Sequence, residues 1–355
     1  MSPPFSEAEL RRRHDALAAA MQDAGVDQVL AFGANRSGTA VGWLTRWPVT
    51  REAIVVVTPG MPDLLLVGFY NHVPNAERIA VEADVRWVGE RPLETALAAV
   101  RDRGGGRIGT IGRALPDAVA MDGAYMRLRL VKSDEELALL RRSAALTDAG
   151  VAALRDAAAP GVDEHALVDA IERAYVPHGA GTHIHYLGAT PMDEPGVCVP
   201  AQYPSERRLR AGDALTCEVS ATLWEYPAQL LRTFTVDAEP TPLYRELQDV
   251  ADAAFDAVAG ALRPGATAAD LADAGRVIED ADFTIRDDLV HGFVGGYWPP
   301  VIGARTPVPD FELAAGMTVV VQPNVVTRDE RAGVQTGELL LVTEGGAERL
   351  HACPR

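Results

Sequence analysis

The stretch that decides the fold is Leu215–Phe234, which reads LTCEVSATLWEYPAQLLRTF. It carries two polar side chains, Glu218 and Gln229, eleven residues apart. Three further segments follow in order: LVHGFVGGYWPP at 289–300, GMTVVVQPN at 316–324 and GVQTGELLLVT at 333–343. Each of them holds a His, Gln or Glu within or beside an apolar run.

Composition limits the class of protein. A chain of 355 residues that is 48% hydrophobic is long enough for two domains with filled cores. The net charge of -17 argues against a nucleic-acid or anionic-membrane partner, because both require clustered Lys and Arg. No secretory segment and no apolar run of eighteen residues is visible. Three cysteines favour a reducing, cytoplasmic location without a disulfide framework.

The first third of the chain reads as an α/β domain. Residues 7–25 have helical spacing and end at Gly25, and a second helix is expected at 93–103. Apolar runs bounded by Gly and Pro predict buried strands at 29–32, 53–57, 64–67 and 108–111. The alternation closes near residue 125, so we expect one domain at 1–125 and another at 126–355.

The second domain begins with a helix and contains a repeat. Ser133 stands three residues before Glu136, which is the spacing of a capping box. The segments PGVDEHALVDA at 160–170 and PGATAADLADA at 264–274 share the pattern PGxxxxxLxDA in register. Two matching turn-helix starts indicate a duplicated half-domain.

The order and spacing of these segments resemble the pita-bread metallopeptidase-like family, which includes aminopeptidase P, prolidase, methionine aminopeptidase and creatinase. Arg208–Asp213 and Arg232-Thr233-Phe234 resemble the turns and strands around the family's first ligands. The resemblance implies a creatinase-type N-terminal α/β domain at 1–125. It also implies an α+β pita-bread catalytic-like domain at 126–355, built from two pseudo-symmetric halves around one site.

In metal-dependent members of this family, two Asp, one His and two Glu hold two divalent ions. By resemblance, those positions are Glu218, Gln229, His291, Gln322 and Gly337. Glu338 replaces the last ligand only if a β-bulge turns it inward, since a one-residue shift reverses the face of a strand side chain. Ala201 stands where the family has a catalytic His.

Charge decides what these replacements mean. Two divalent ions need roughly four anionic oxygen ligands, whereas one carboxylate is retained here, or two with Glu338. We therefore expect no metal and no other cofactor. One alternative is a single metal ion held by Glu218, His291 and an amide oxygen. Another is that Gln229 and Gln322 are hydrogen-bonded side chains left in a former metal site and have no function of their own.

His291 and Glu218 are the candidate acid–base residues, with a His291 pKa expected near neutrality because Glu218 is close. Gln229 and Gln322 would orient the substrate. The remaining substrate-binding candidates, each of which has a purely structural interpretation as well, are Trp298, Tyr226, Arg232, His183, His185 and Glu338.

Three functions follow from this site. The leading hypothesis is a metal-independent hydrolase-like enzyme, for which creatinase is the precedent, that acts on a small polar metabolite. C–N hydrolysis, elimination, isomerisation and cyclisation all remain open. The alternatives are an Xaa-Pro-type peptidase with one rearranged metal and a catalytically inactive binding module. The resemblance further implies a homodimer.

Overall fold

The computed structural model describes residues 4–35, 40–80, 82–293 and 297–355. The chain divides into two compact units, Met1–Glu135 and Glu136–Arg355. The predicted boundary, between residues 125 and 126, lies inside the last helix of the first unit. Among the described residues, no helix is both long enough and apolar enough to cross a membrane.

The first unit is a mixed sheet with helices, as the α/β prediction requires. Its sheet has the strand order β4-β3-β2-β1-β5-β6, with antiparallel pairing from β3 to β1 and parallel pairing elsewhere. The elements are α1 (Glu7–Ala24), β1 (Gln28–Ala34), α2 (Ala40–Thr45), β2 (Glu52–Val57), β3 (Leu64–Val67), α3 (Val73–Ile79), β4 (Asp84–Trp87), α4 (Pro92–Asp102), β5 (Ile108–Ile111), β6 (Val119–Ala120) and α5 (Asp122–Leu130).

Local sequence signals explain where these elements end and pack. The Ser6 side chain accepts from the Glu9 N–H at the start of α1, and Gly25 ends the helix with a φ of 62°. That left-handed conformation suits glycine because it lacks a Cβ. One face of the sheet buries Leu30, Val56 and Leu66 against Ala96 and Val100. Burial of this apolar area is the main stabilising contribution.

The second unit contains the curled sheet of the pita-bread fold. Its main sheet has the order β12-β11-β13-β16-β9-β8-β7, β17 pairs with β16, and a smaller sheet has the order β10-β14-β15. The elements are α6 (Asp134–Ala157), α7 (Glu164–Tyr175), β7 (Gly181–Pro191), β8 (Asp213–Leu223), β9 (Tyr226–Thr235), α8 (Pro242–Ala261), α9 (Ala268–Ala274), α10 (Val277–Asp280), β10 (Thr284–Ile285), β11 (Asp288–Phe293), β12 (Tyr297–Gly303), β13 (Thr318–Val321), β14 (Asn324–Val326), β15 (Gly333–Gln335), β16 (Gly337–Thr343) and β17 (Gly346–Arg349).

The two halves of this unit repeat each other in their backbone hydrogen bonds. The Gly161 N–H donates to the Leu209 carbonyl, and the Gly265 N–H donates to the Leu313 carbonyl. Leu209 and Leu313 in turn donate to Val162 and Ala266. Each pair of corresponding residues is 104 positions apart, as in the sequence repeat (265 − 161 and 313 − 209). The same offset relates Glu218 to Gln322, so these two residues occupy equivalent positions in the two halves.

Candidate functional site

Four of the predicted site residues meet in one cavity of the second unit. Glu218 lies on β8, Gln229 on β9, His291 on β11, and Gln322 directly after β13. All four line a cavity of about 290 Å³. Strand register places them there: Gln229 pairs with Ser220, two residues from Glu218, and His291 pairs with Val320, two residues before Gln322. Residues two apart on a strand share a face of the sheet.

The four side chains form a continuous hydrogen-bonded chain. The Gln229 Nε2 donates to Glu218 Oε1 and, at 3.2 Å, to Gln322 Oε1. The His291 Nε2 lies 3.1 Å from the same Gln322 Oε1, and its Nδ1 lies 3.1 Å from the Gly292 carbonyl oxygen. Each of the four side chains is at least nine-tenths buried. The chain therefore connects a carboxyl group to an imidazole through two amides.

Burial shifts the pKa of both ionisable members in opposite directions. Desolvation, and then the charge of Asp287, raises the pKa of Glu218 to about 8. Desolvation lowers the pKa of His291 to about 4. This differs from the near-neutral pKa expected from the sequence, because the ring contacts the Gln322 amide and not the Glu218 carboxylate. At neutral pH Glu218 holds a proton and His291 does not.

The cavity also contains residues that the sequence analysis missed. Two of them are Asp287, whose own pKa is raised by burial and whose charge raises the pKa of Glu218, and Tyr297, whose ring stacks on His291 with centroids 4.3 Å apart. The run RDD at 286–288, just before His291, was the available signal, but no family position drew attention to it. The other missed lining residues include Tyr186, Gln202, Arg286 and Phe293.

Glu338 lies on the other face of the sheet. No register shift interrupts β16 along β13 or β9: Glu338 pairs with Val321 and with Leu230. These are the neighbours of the cavity residues, so the bulge that would turn Glu338 inward is not formed. Its carboxylate is fully buried, accepts from Arg232 at 3.0 Å, and is ion-paired with Arg349.

Arg232 binds backbone carbonyl groups from several segments. Besides Glu338, its guanidinium donates to the carbonyl oxygens of Leu231, Gly337, Cys353 and Pro354 at 2.8–3.1 Å. The side chain is almost fully buried in these contacts. Arg232 is not among the residues that line the candidate cavity, so the structure places it where it ties β9, β16 and the last residues to one another.

His183 and His185 do not line the cavity either, whereas Ile184 and Tyr186 do. Tyr186 pairs directly with Glu218 across β7 and β8, so it shares the cavity face and His185 points to the opposite one. His185 contacts the Tyr175 hydroxyl, and the ring of His183 packs edge-on against Phe293 at 5.4 Å.

The two predicted aromatic residues are also placed away from the cavity lining. The Tyr226 side chain is buried at the start of β9, and its hydroxyl donates to Glu136 Oε1 at 2.7 Å. Trp298 lies on β12 and pairs with Gly292 of β11, and the residue next to it, Tyr297, lines the cavity instead. Adjacent strand residues point to opposite faces, which explains the exchange. Over the described part of the chain, no three or more His, Cys, Asp or Glu side chains are grouped so that they could hold a metal ion.

Comparison with known proteins identifies the scaffold. The sequence model of metallopeptidase family M24 matches residues 138–344 of this chain. The uncharacterized hydrolase/peptidase y4tL of Sinorhizobium fredii is 30% identical over 255 residues, which cover 68% of this chain and 62% of that protein. Creatinase of a Bacillus species is 24% identical over 393 residues, covering 100% and 93% of the two chains.

A solved structure extends the match to both units. The Xaa-Pro dipeptidase from Bacillus anthracis superposes with a TM-score of 0.83 and 20% identity, covering 98% of each chain. At this level of sequence identity, the superposition is evidence for the fold only. It confirms the predicted fold class, an α/β N-terminal domain followed by a pita-bread domain.

Proposed function

This chain belongs to metallopeptidase family M24, and we propose that it uses the hydrolase scaffold of that family without metal ions, by acid–base chemistry. The substrate would be a small polar metabolite, and the reaction C–N bond hydrolysis or a related elimination, isomerisation or cyclisation. The observation that carries this proposal is the hydrogen-bonded chain from Glu218 to His291. We further propose that the enzyme acts as a cytoplasmic homodimer.

The donor set supports a metal-free site. Hard divalent ions require anionic oxygen ligands, yet the chain of four side chains contains a single carboxyl group. Its remaining oxygens belong to amides. Gln229 directs an N–H, which repels a cation, toward both Glu218 and Gln322. These residues do not fit a pair of divalent ions.

The fifth ligand position supports the same proposal. Gly337 is closed to any side chain, because a Cβ there would lie 2.7 Å from Gln322 Cα and from the Val321 carbonyl oxygen. The nearest carboxylate in sequence, Glu338, is held on the other face by two arginines. Neither of these two positions therefore offers a side-chain oxygen to the cavity.

In the proposed mechanism Glu218 donates a proton to the leaving nitrogen, and His291 accepts one from the attacking water or, in an elimination or isomerisation, from the substrate. Glu218 is protonated at neutral pH and can supply its proton to a leaving nitrogen. Neutral His291 has one N–H and one unprotonated nitrogen, and both ring nitrogens lie 3.1 Å from an oxygen. After it takes a proton, both ring N–H groups face an oxygen, from Gly292 and from Gln322, so the imidazolium is stabilised as it forms.

Metal content tests the proposal. We expect near-zero manganese, cobalt, zinc and iron by plasma mass spectrometry, both as purified without chelator and after incubation with each ion. A panel of small C–N compounds and Xaa-Pro dipeptides would be assayed on the same samples. About one equivalent of metal per chain, lost in His291→Ala and accompanied by dipeptide cleavage, would instead establish a mononuclear peptidase.

The pH dependence of kcat/KM is a second prediction, since this constant reports the free enzyme. The rate should fall below about pH 4, where His291 becomes protonated, and above about pH 8, where Glu218 loses its proton. Glu218→Gln cannot ionise, so its residual activity should lack the alkaline limb. An alkaline limb that is unchanged in Glu218→Gln would assign the acid to another residue.

A further inference from the structure

We propose that a second cavity of the pita-bread unit binds a zwitterionic ligand of the class of α-amino acids with an apolar side chain. This cavity has a volume of about 470 Å³ and is lined by residues of α8, the ends of β9 and α6, and the segment Pro354–Arg355. Its lining shares no residue with the cavity of Glu218 and His291. The inference therefore adds a binding site to the proposed function and does not rest on it.

Charged side chains of both signs line this second cavity without pairing with one another. Arg155 and Arg245 form no ion pair with any residue that the structure describes, and Arg245 Nη2 donates only to the Pro240 carbonyl oxygen, at 3.2 Å. Asp249 and Asp252 likewise have no cationic partner in the described part of the chain. A ligand with one charge of each sign can form charge-assisted hydrogen bonds with both sets at once.

The other two arginines of the lining are already neutralised. Arg232 is paired with Glu338 at 3.0 Å, and Arg355 is paired with Asp256 at 2.7 Å. The charges without an ion-pair partner are therefore the two arginines and two aspartates named above, with no excess of either sign. This balance favours a zwitterion over a ligand that is only an anion or only a cation.

Asp252 is the positioned carboxylate of this site. It is half-buried, and its Oδ1 accepts at 3.1 Å from Gln248 Nε2, which also donates to Thr336 Oγ1 at 2.7 Å. We assign the ligand ammonium group to Asp252 and the ligand carboxylate to Arg155 and Arg245. Arg245 and Asp249 are exposed and one turn apart on α8, so they could pair with each other, but such surface pairs contribute little and a ligand can displace them.

The remaining lining suits an apolar side chain. Phe234, Pro240, Val334 and Pro354 supply apolar surface, and Phe234 and Pro240 are only half-buried, so part of that surface is accessible. Covering it with a ligand side chain removes apolar area from water, which favours binding. The volume of the cavity lies within the range of about 300–1,000 Å³ that is usual for small-molecule sites.

Calorimetric titration of the intact protein with three probes tests this inference. L-Leucine carries both charges, leucinamide carries the positive charge alone, and N-acetylleucine carries the negative charge alone. We expect leucine to bind the wild-type protein at least about tenfold more tightly than either of the others, because each of them loses one set of charge-assisted hydrogen bonds. This ranking requires no variant and is unaffected by folding defects.

Variants with matched controls locate the bound leucine. Asp252→Asn and Arg245→Gln should each weaken leucine binding about tenfold or more. Glu246→Gln and Arg263→Gln remove charges of the same two signs from exposed positions outside the cavity, and should leave binding unchanged. His291→Ala changes the central cavity alone and should also leave leucine binding unchanged. Thermal unfolding would check that every variant is folded.

Several results would overturn the inference. The absence of leucine binding would do so, as would binding of leucinamide or N-acetylleucine that is as tight as that of leucine. Loss of binding in His291→Ala would place leucine in the central cavity instead. Equal losses in the cavity variants and in their exposed controls would show that the binding does not depend on this site.

Discussion

Replacing Glu338 with alanine is expected to lower the free energy of unfolding by about 3–5 kcal/mol, as breaking a buried ion pair typically does. Glu338 is fully buried and the Arg232 side chain is 3% exposed. The truncation leaves the Arg232 guanidinium buried without its carboxylate. Arg349 is half-exposed and can turn to solvent, so most of the loss should come from Arg232.

Urea unfolding at pH 7, followed by circular dichroism, would measure this effect. A surface pair is the control: Glu348→Ala removes the half-exposed partner of Arg141 and should change stability by less than about 1 kcal/mol. The double variant Glu338→Leu with Arg232→Leu should recover part of the loss, because no charge then remains buried at that place. Equal stability of Glu338→Ala and wild type would show that Arg232 is satisfied by backbone carbonyls alone.

The face of the sheet on which Glu338 lies illustrates what the sequence could and could not predict. The fold was predicted from a family resemblance carried by the order of the segments, and the repeat from two matching turn-helix starts in the chain itself. The sequence also predicts that side chains alternate between the two faces of a strand. Which face carries Glu338, however, depends on whether the strand contains a β-bulge. Only the pairing of Glu338 with Leu230 and Val321 answers that question. The same ambiguity of phase affected His185, which faces away from the cavity, whereas His183 stands at a register shift of β7 and its ring packs against the cavity residue Phe293.

The polar chemistry of the site was less predictable than the strands. Family positions indicated Glu218, Gln229, His291 and Gln322, and all four line one cavity. Asp287 was missed because it precedes β11 in a turn, where no periodic pattern assigns a direction to its side chain. The His291 pKa depends on burial and on which neighbour contacts the ring. Both are tertiary properties, and neither can be read from residue spacing.

The variants His291→Ala and Glu218→Gln are each expected to reduce kcat by about 10²–10⁴-fold on the true substrate, the usual contribution of a positioned acid or base. Single-turnover rates at pH 7 would measure the loss. Since the two groups would act together in one chemical step, the double variant should lose much less than the product of the two single effects.

The stability of the Glu218→Gln variant shows whether a loss of activity is due to misfolding. Burial raises the pKa of Glu218 to about 8, above its value in the unfolded chain. Its contribution to folded-state stability is therefore greatest at low pH and declines as the pH rises toward and through 8, because the unfolded state ionises more readily. Glutamine keeps the oxygen that accepts from Gln229 and removes this penalty. At pH 8 the variant should be at least as stable as the wild type while turning over far more slowly. A Glu218→Gln variant that is stable and fully active would remove Glu218 from the mechanism, and a second such result with His291→Ala would remove acid–base catalysis at this cavity altogether.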